Sequence, residues 1–162
     1  MRKLLNEILG IEHPIIVAPM FLVSNVEMVV EACKAGATAA IPALNYRTNE
    51  ELIKAIKSIK SKTNKPFGIN LIVNNSNPKY LSQLKLLAEE KVDFIITSLG
   101  SPAETIKTCK PLGIKVFCDV VDLKYAQKVE EMGADSVIAV NNKAGGHCGP
   151  DDFDQLIKEL NQ

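Results

Sequence analysis

The sequence predicts an α/β fold in which parallel strands alternate with helices, and three observations support this prediction. Apolar runs of strand length begin near residues 15, 38, 67, 93, 115 and 136, and a helical segment follows each of them. Gly113 and Gly133, which are typical of helix ends, precede the last two runs. No linker or low-complexity stretch interrupts this order, so we expect a single domain over residues 1–162. Right-handed crossovers between parallel strands produce such an alternation.

The first β/α unit illustrates the pattern. Residues 4–9 predict a short amphipathic opening helix that Gly10 ends, and the apolar run 14–19 predicts a strand buried on both faces. Ser24 is then a suitable N-cap for a helix that ends before Gly36. A strand followed by a helix brings the chain back to the start of the next parallel strand.

The other helices are predicted from their apolar spacing and from proline positions. Their expected ranges are 49–61, 78–90, 102–111, 123–132 and 150–160. Pro78, Pro102 and Pro150 suit the first turn of a helix, where a missing N–H costs nothing.

Parallel α/β order leaves two architectures, an open doubly wound sheet and a closed barrel. A doubly wound dinucleotide-binding fold would carry a glycine-rich G-x-G-x-x-G turn after its first strand, and this chain has Ala-Pro-Met-Phe-Leu-Val-Ser at residues 18–24 instead. We therefore predict a parallel (β/α) fold of TIM-barrel type. A complete barrel has eight units in roughly 250 residues, so the 162 residues predict an incomplete barrel of about six β/α units.

Composition indicates a globular protein with a small-molecule ligand. Apolar residues make up 46% of the chain and charged residues 23%, and nineteen Lys and Arg residues balance nineteen Asp and Glu residues. Because no dense basic run is present, we expect neither nucleic acid nor membrane as a partner. Asn6, Glu7 and Glu12 interrupt any apolar leader segment, so we expect a cytoplasmic protein.

The four cysteines lack the close paired spacing of a zinc site, and we expect them to be buried thiols. They are Cys33, Cys109, Cys118 and Cys148. His147 and Cys148 are adjacent, but adjacent residues rarely point at one ion, so no metal site is predicted.

Function in parallel α/β folds collects at the carboxyl ends of the strands. After the sixth predicted strand, Gly145 and Gly146 would allow a ligand to approach the backbone closely, and His147 follows them. An imidazole on this face would take a proton from an acidic carbon. The alternative is a flexible turn with an incidental histidine. His13 precedes the first strand and is expected to be structural.

Two other strand ends carry candidate binding residues. The amide of Asn70 can donate to and accept from the edge of a heterocycle. Ala18, Pro19 and Met20 place a small residue, a rigid residue and a soft thioether at the end of the first strand. Taken alone, a turn-forming Asn and mere packing also account for these residues.

Together these turns resemble those of the nitronate monooxygenase (2-nitropropane dioxygenase) family of FMN enzymes, which also includes flavin-type enoyl-acyl-carrier-protein reductases. The resemblance runs over essentially the whole chain. It includes Pro-Ile-Ile-Val-Ala-Pro-Met at residues 14–20, Lys-Pro-Phe-Gly-Ile-Asn-Leu at 65–71 and Ala-Gly-Gly-His at 144–147. The last of these is the most specific element.

This resemblance implies FMN as the cofactor and a small-molecule substrate. The residues expected to contact FMN are Ala18, Pro19, Met20, Asn70, Gly145 and Gly146. His147 would be the catalytic base that deprotonates a nitroalkane before one-electron transfer to the flavin and oxidation by O₂. In the reductase variant, a hydride from a nicotinamide would instead reach an enoyl thioester through the flavin.

Three departures from the family pattern accompany the resemblance. Lys143 stands where many members have Glu, and Val140 stands where many have a Gln that approaches the flavin. Family barrels also continue with two more units whose turns hold the FMN phosphate, so tight FMN binding by residues 1–162 alone is not expected. The alternatives are self-association, a complementing chain, or a barrel fragment without catalysis.

Overall fold

Six parallel strands form one sheet in the computed structural model, which describes residues 3–161. Met1, Arg2 and Gln162 lie outside the described residues. The strands cross the sheet in chain order, as β1 Ile16–Val17, β2 Thr38–Pro42, β3 Gly68–Ile72, β4 Phe94–Ser98, β5 Lys115–Val120 and β6 Ser136–Ala139. Each strand begins within one residue of its predicted start, and every neighbouring pair is parallel. The predicted α/β class is therefore confirmed.

A helix follows each strand, and one more precedes the sheet. They are α1 Leu5–Leu9, α2 Val26–Lys34, α3 Asn49–Lys62, α4 Tyr80–Glu89, α5 Ala103–Cys109, α6 Leu123–Glu131 and α7 Phe153–Leu160, with short 3₁₀ turns at Ala43–Asn45 and Lys110–Leu112. Helix α3 begins with a reciprocal cap between Thr48 and Glu51 and buries Leu52 and Ile56. Across residues 3–161, no helix has the length and apolar character that a membrane crossing needs.

Inward-facing side chains show that the sheet curls. Ile16 of β1 and Ile138 of β6 pack against one buried cluster, which contains Ala40, Phe94 and Phe117. Because both end strands reach the same cluster, the sheet bends around it like the wall of a barrel. Within residues 3–161, β1 and β6 do not pair with each other, so the architecture is an incomplete barrel of TIM-barrel type.

A pair of aromatic rings fills the middle of this curl. The ring centroids of Phe94 and Phe117 lie 5.4 Å apart, with 26° between the ring planes. Gly68 of β3 faces the pair, and a Cβ atom on Gly68 would lie 2.2 Å from Phe94 Cε2. Its neighbours Ile69 and Leu71 belong instead to the cluster between the sheet and the helices. Glycine at this position therefore makes room for the ring.

The first strand and the start of α2 differ from the sequence predictions. Strand β1 is two residues long and half-buried, not buried on both faces, because β2 is its only neighbour among the described residues. The N-cap of α2 is Asn25, whose side chain accepts from Met28 N, and not Ser24. The prediction for Ser24 was wrong because its hydroxyl accepts a hydrogen bond from Met20 N in the preceding loop.

The three prolines also lie slightly outside the predicted positions. Pro102 is the N-cap of α5, while Pro78 and Pro150 precede the N-caps of α4 and α7. Each proline therefore precedes the first turn of its helix. No helical hydrogen bond needs an N–H donor at that position, so the N–H that proline lacks is not missed.

Candidate functional site

The carboxyl ends of the six strands lie along one edge of the sheet, because all six strands are parallel. We call this edge the rim, and it comprises residues 18–25, 42–48, 70–79, 98–102, 119–122 and 140–152. The rim contains all seven candidate residues: Ala18, Pro19 and Met20 after β1, Asn70 within β3, and Gly145, Gly146 and His147 after β6. His13 lies before β1, at the opposite end of the sheet.

The loop after β1 is fixed by hydrogen bonds to side chains. Met20 N donates to Ser24 Oγ at 2.8 Å, and Leu22 N donates to Asn45 Oδ1 at 2.9 Å. These bonds hold Leu22 at a φ of 59°, in the left-handed region that costs such a residue about 1–2 kcal/mol. The side chains of residues 20–23 remain 39% to 73% exposed, so this part of the rim is an apolar surface.

Three adjacent strands contribute a connected row of polar side chains, which we call the polar row: Asn70 of β3, Ser98 of β4 and Asp119 of β5. Asn70 Nδ2 donates to Ser98 Oγ at 2.8 Å, and Ser98 Oγ donates to Asp119 Oδ2 at 2.5 Å. Burial raises the pKa of the Asp119 carboxyl, and the hydrogen bond from Ser98 opposes part of that shift. The polar row is therefore a partly buried part of the rim, and hydrogen bonds join its three members.

Sequence reasoning identified Asn70 and missed Ser98 and Asp119. Strand residues alternate between the two faces of a sheet, so Asp119 shares the inner face with Phe117, two residues earlier. A carboxylate at an inward position, close to the carboxyl end of an apolar strand, was the signal that could have found it. Ser98 carried no comparable signal, because serine is common at strand ends.

The loop after β6 presents a glycine pair whose backbone is open. A Cβ atom on Gly145 or Gly146 would meet no heavy atom within 4 Å, and Gly146 has a φ of 82°. Gly149 is different, because a Cβ atom there would lie 2.2 Å from Val140 O. Packing within the described chain thus explains Gly149 but not Gly145, and it leaves the backbone of the glycine pair accessible to a ligand.

His147 is exposed at the end of this glycine pair. Hydrogen bonds from Asn142 N to Asp151 O, at 2.7 Å, and from Gly149 N to Asn141 O, at 3.1 Å, close the loop around it. The imidazole is therefore on the rim, where a bound small molecule can reach it. His147 thus lies beyond the carboxyl ends of the strands, as predicted, and its role as a base stays a prediction.

The cysteines divide into two groups. Cys33, Cys109 and Cys118 are buried as predicted, and burial raises the pKa of the Cys109 thiol to about 12. Cys148 is exposed beside His147, so the prediction of a buried thiol was wrong there. Its position in the open loop, away from the sheet, explains the difference.

Comparison with known proteins identifies a family. A sequence profile described as nitronate monooxygenase matches residues 2–81 and 74–162. A nitronate monooxygenase from Paraburkholderia phytofirmans is 28% identical, and the match covers 96% of this chain and 53% of that protein. A second relative, from Rhodococcus jostii, is (3aS,4S,5R,7aS)-5-hydroxy-7a-methyl-1-oxo-octahydro-1H-indene-4-carboxyl-CoA dehydrogenase. It is 32% identical, and the match covers 93% of this chain and 42% of that protein.

Solved structures show the same fold. FabK from Thermotoga maritima superimposes with a TM-score of 0.91 at 32% identity, over 99% of this chain and 50% of that one. A nitroalkane oxidase from Streptomyces ansochromogenes, at 22% identity and a TM-score of 0.84, shares the fold. The chain spans about half the length of the curated relatives that it matches.

The alignments also differ in their gaps. The match to the Rhodococcus dehydrogenase extends over 150 residues, which is 93% of this chain. The match to the Paraburkholderia nitronate monooxygenase extends over 196 positions, more than the 162 residues of this chain, so that relative has positions with no counterpart here. The two segments of the family profile overlap at residues 74–81, which comprise most of the loop after β3 and the first two residues of α4.

Proposed function

The chain belongs to the nitronate monooxygenase family, and from this premise we propose that it acts as an FMN-dependent oxidoreductase that oxidises nitroalkanes or nitronates with O₂. The arrangement that supports this most directly is the open glycine pair, Gly145 and Gly146, leading to the exposed His147 on the rim. Deprotonation of a bound substrate requires a base next to the place where the substrate binds, and the exposed backbone of the glycine pair would provide that place beside His147.

In this proposal, three parts of the rim would hold the flat ring of FMN. The open backbone of Gly145 and Gly146 would lie against one part of it, and the fixed loop at residues 18–20 against another. Asn70 would meet a polar edge of the ring from the inner face of the barrel. FMN, when bound, supplies one-electron chemistry with the substrate and with O₂.

In this proposal, His147 moves the proton. A ring nitrogen of His147 takes the proton from the carbon that carries the nitro group, and the nitronate that remains holds the electron pair of the broken C–H bond. A substrate supplied as the nitronate has already lost this proton. His147 is therefore needed for neutral nitroalkanes and not for nitronates.

A second candidate function is the oxidation or reduction of an acyl thioester. The Rhodococcus relative is named for a carboxyl-CoA, which is a thioester, and its alignment lacks the extra positions seen with the nitronate monooxygenase. An enoyl thioester reduced at the expense of NAD(P)H is the corresponding reaction.

The two candidates are separated by assaying the chain with FMN on three substrates: a neutral nitroalkane, its nitronate, and an enoyl thioester with NAD(P)H. If the nitroalkane reaction is the right one, His147→Ala should lower neutral nitroalkane turnover at least about a hundredfold and leave nitronate turnover within about threefold. His13→Ala is the matched control, since this second histidine lies at the opposite end of the sheet.

Each outcome has a distinct meaning. Unchanged neutral nitroalkane turnover in His147→Ala would remove the proposed base. Turnover of the enoyl thioester alone would establish the second candidate. Turnover of none of the three substrates would leave a barrel fragment without catalysis.

We also propose a partner at the open edges of the sheet. Within residues 3–161, β1 and β6 each pair with one strand only, and such edges invite pairing with a second copy or with a complementing chain. Light scattering of the purified chain tests this. A dimer supports self-association, and a stable monomer at assay concentration argues against it.

A further inference from the structure

We propose that Ser98 and Asp119 position the Asn70 amide so that the rim offers a hydrogen-bond acceptor, and only an acceptor, to the N–H group of a bound ring. Ser98 and Asp119 are positioning residues in this account, and Asn70 contacts the ligand. The identity of the ring as a flavin rests on the proposed function above, whereas the orientation of the amide does not.

The direction of the polar row follows from its last member. Ser98 Oγ donates to Asp119 Oδ2 at 2.5 Å, and this bond uses the single hydroxyl hydrogen of Ser98. Ser98 Oγ can then only accept from Asn70, whose Nδ2 lies 2.8 Å away. Asp119 therefore orders the hydroxyl, and the hydroxyl orders the amide.

The carbonyl of Ile96 fixes the same orientation independently. A carbonyl oxygen only accepts, so the group of Asn70 that lies 3.1 Å from Ile96 O must be the NH₂. Both amide hydrogens are then in use, one on Ile96 O and one on Ser98 Oγ. The Oδ1 atom of Asn70 is left to face the ligand.

That oxygen is short of a partner. Asn70 is 9% exposed, and no hydrogen bond from residues 3–161 to its Oδ1 accompanies the two that its Nδ2 donates. Among the described residues, Asn6 Oδ1 is the one side-chain N or O atom that is both shut off from solvent and unpartnered, so solvent reaches Asn70 Oδ1 and this oxygen is available to accept from a ligand. The flavin ring system carries one such donor, the imide N–H of its pyrimidine ring.

The orientation is tested without any flavin by nuclear magnetic resonance of the Asn70 side-chain NH₂, assigned with Asn70→Asp. Asp119→Leu removes the group that orders the Ser98 hydroxyl, and Ser98→Ala removes the hydroxyl itself. In both variants we expect the Asn70 hydrogen that is donated to Ser98 to exchange with water about fivefold to tenfold faster. Asp119→Asn keeps an oxygen that accepts from Ser98 and should restore slow exchange. Fast exchange in the unchanged chain, or equal rates in all variants, would overturn the positioning role.

Ligand recognition is tested with riboflavin, which has the ring but no phosphate, and with 3-methylriboflavin, in which a methyl group replaces the imide hydrogen. We expect the chain to bind riboflavin about tenfold more tightly, as for one hydrogen bond. Asp119→Leu should lose this preference, and Asp119→Asn should keep it. Asp154→Asn, a change at an exposed position in the first turn of α7 and outside the rim, is the matched control.

The two measurements fail separately. Equal binding of both compounds by the unchanged chain would overturn recognition of an N–H group while leaving the amide orientation in place. An absence of binding by either compound at millimolar concentration would overturn the ligand assignment together with the flavin of the proposed function.

Discussion

At the middle of the sheet, the side chains of β3, β4 and β5 pack against and hydrogen-bond to one another. The loops after β1 and β6 instead leave side chains and backbone exposed to solvent. Gly68 accommodates the ring of Phe94, and the polar row links three neighbouring strands. After β1 and β6, by contrast, apolar side chains at residues 20–23 are exposed, and a Cβ atom on either glycine of the pair would meet no heavy atom within 4 Å. The middle of the sheet is thus shaped by its own packing, whereas packing within the described residues does not account for the open groups at its two ends.

Replacing glycine by alanine in both regions, at Gly68 in the middle of the sheet and at Gly145 and Gly146 after β6, tests this difference most strongly. In Gly68→Ala, the new Cβ atom would lie 2.2 Å from the Phe94 ring, so the ring must move inside a packed cluster. We expect a loss of about 3 kcal/mol in the free energy of unfolding, measured by urea denaturation. A loss below about 0.5 kcal/mol would show that the middle of the sheet is not tightly packed.

Gly146→Ala should give a smaller loss in stability and a larger loss in binding. The residue has a φ of 82° with open space around it, so we expect the backbone strain alone to cost about 1 kcal/mol. Gly145 has neither strain nor a neighbour, so Gly145→Ala should change stability by less than about 0.5 kcal/mol. Both variants should weaken FMN binding about tenfold, and unchanged binding in both would remove the glycine pair from the site.

The smallest effect sharpens the comparison within the middle of the sheet. Burial raises the pKa of Asp119 above that of the unfolded chain, so the charged carboxylate costs stability above its ordinary pKa. Asp119→Asn removes this cost and should be slightly more stable than the unchanged chain at pH 7. The difference should vanish as the pH falls below about 4, where Asp119 is protonated in both states. Urea unfolding across this range checks the sign, and a less stable variant at pH 7 would contradict it.

Those parts of the fold that depend on local pattern could be predicted from sequence. Strands β2 to β6 and helix α3 have strong periodicity, so their starts were found to within one residue. Strand β1 was overestimated, because its apolar residues reflect a place in the barrel wall and not pairing on both sides. Ser24 was misjudged as a cap because a contact with Met20 in the loop before it competes for its hydroxyl.

The candidate site was accessible to sequence reasoning only where residue type signals function. Paired glycines before a histidine are informative by themselves, and the structure places them on the rim. The polar row depends on the register between strands, such as the pairing of Ile72 with Ser98, and a single sequence does not encode register visibly. Residues that act together across strands therefore emerged only from the folded sheet.

The most direct measurement of the central claim is a titration of the purified chain with FMN, followed by the visible spectrum. If the rim is the flavin site, the flavin bands should shift, and Asn70→Ala should weaken binding about tenfold while His13→Ala, at the opposite end of the sheet, leaves it unchanged. An unshifted spectrum up to millimolar FMN, or equal loss of binding in both variants, would contradict the assignment of the rim as a flavin site.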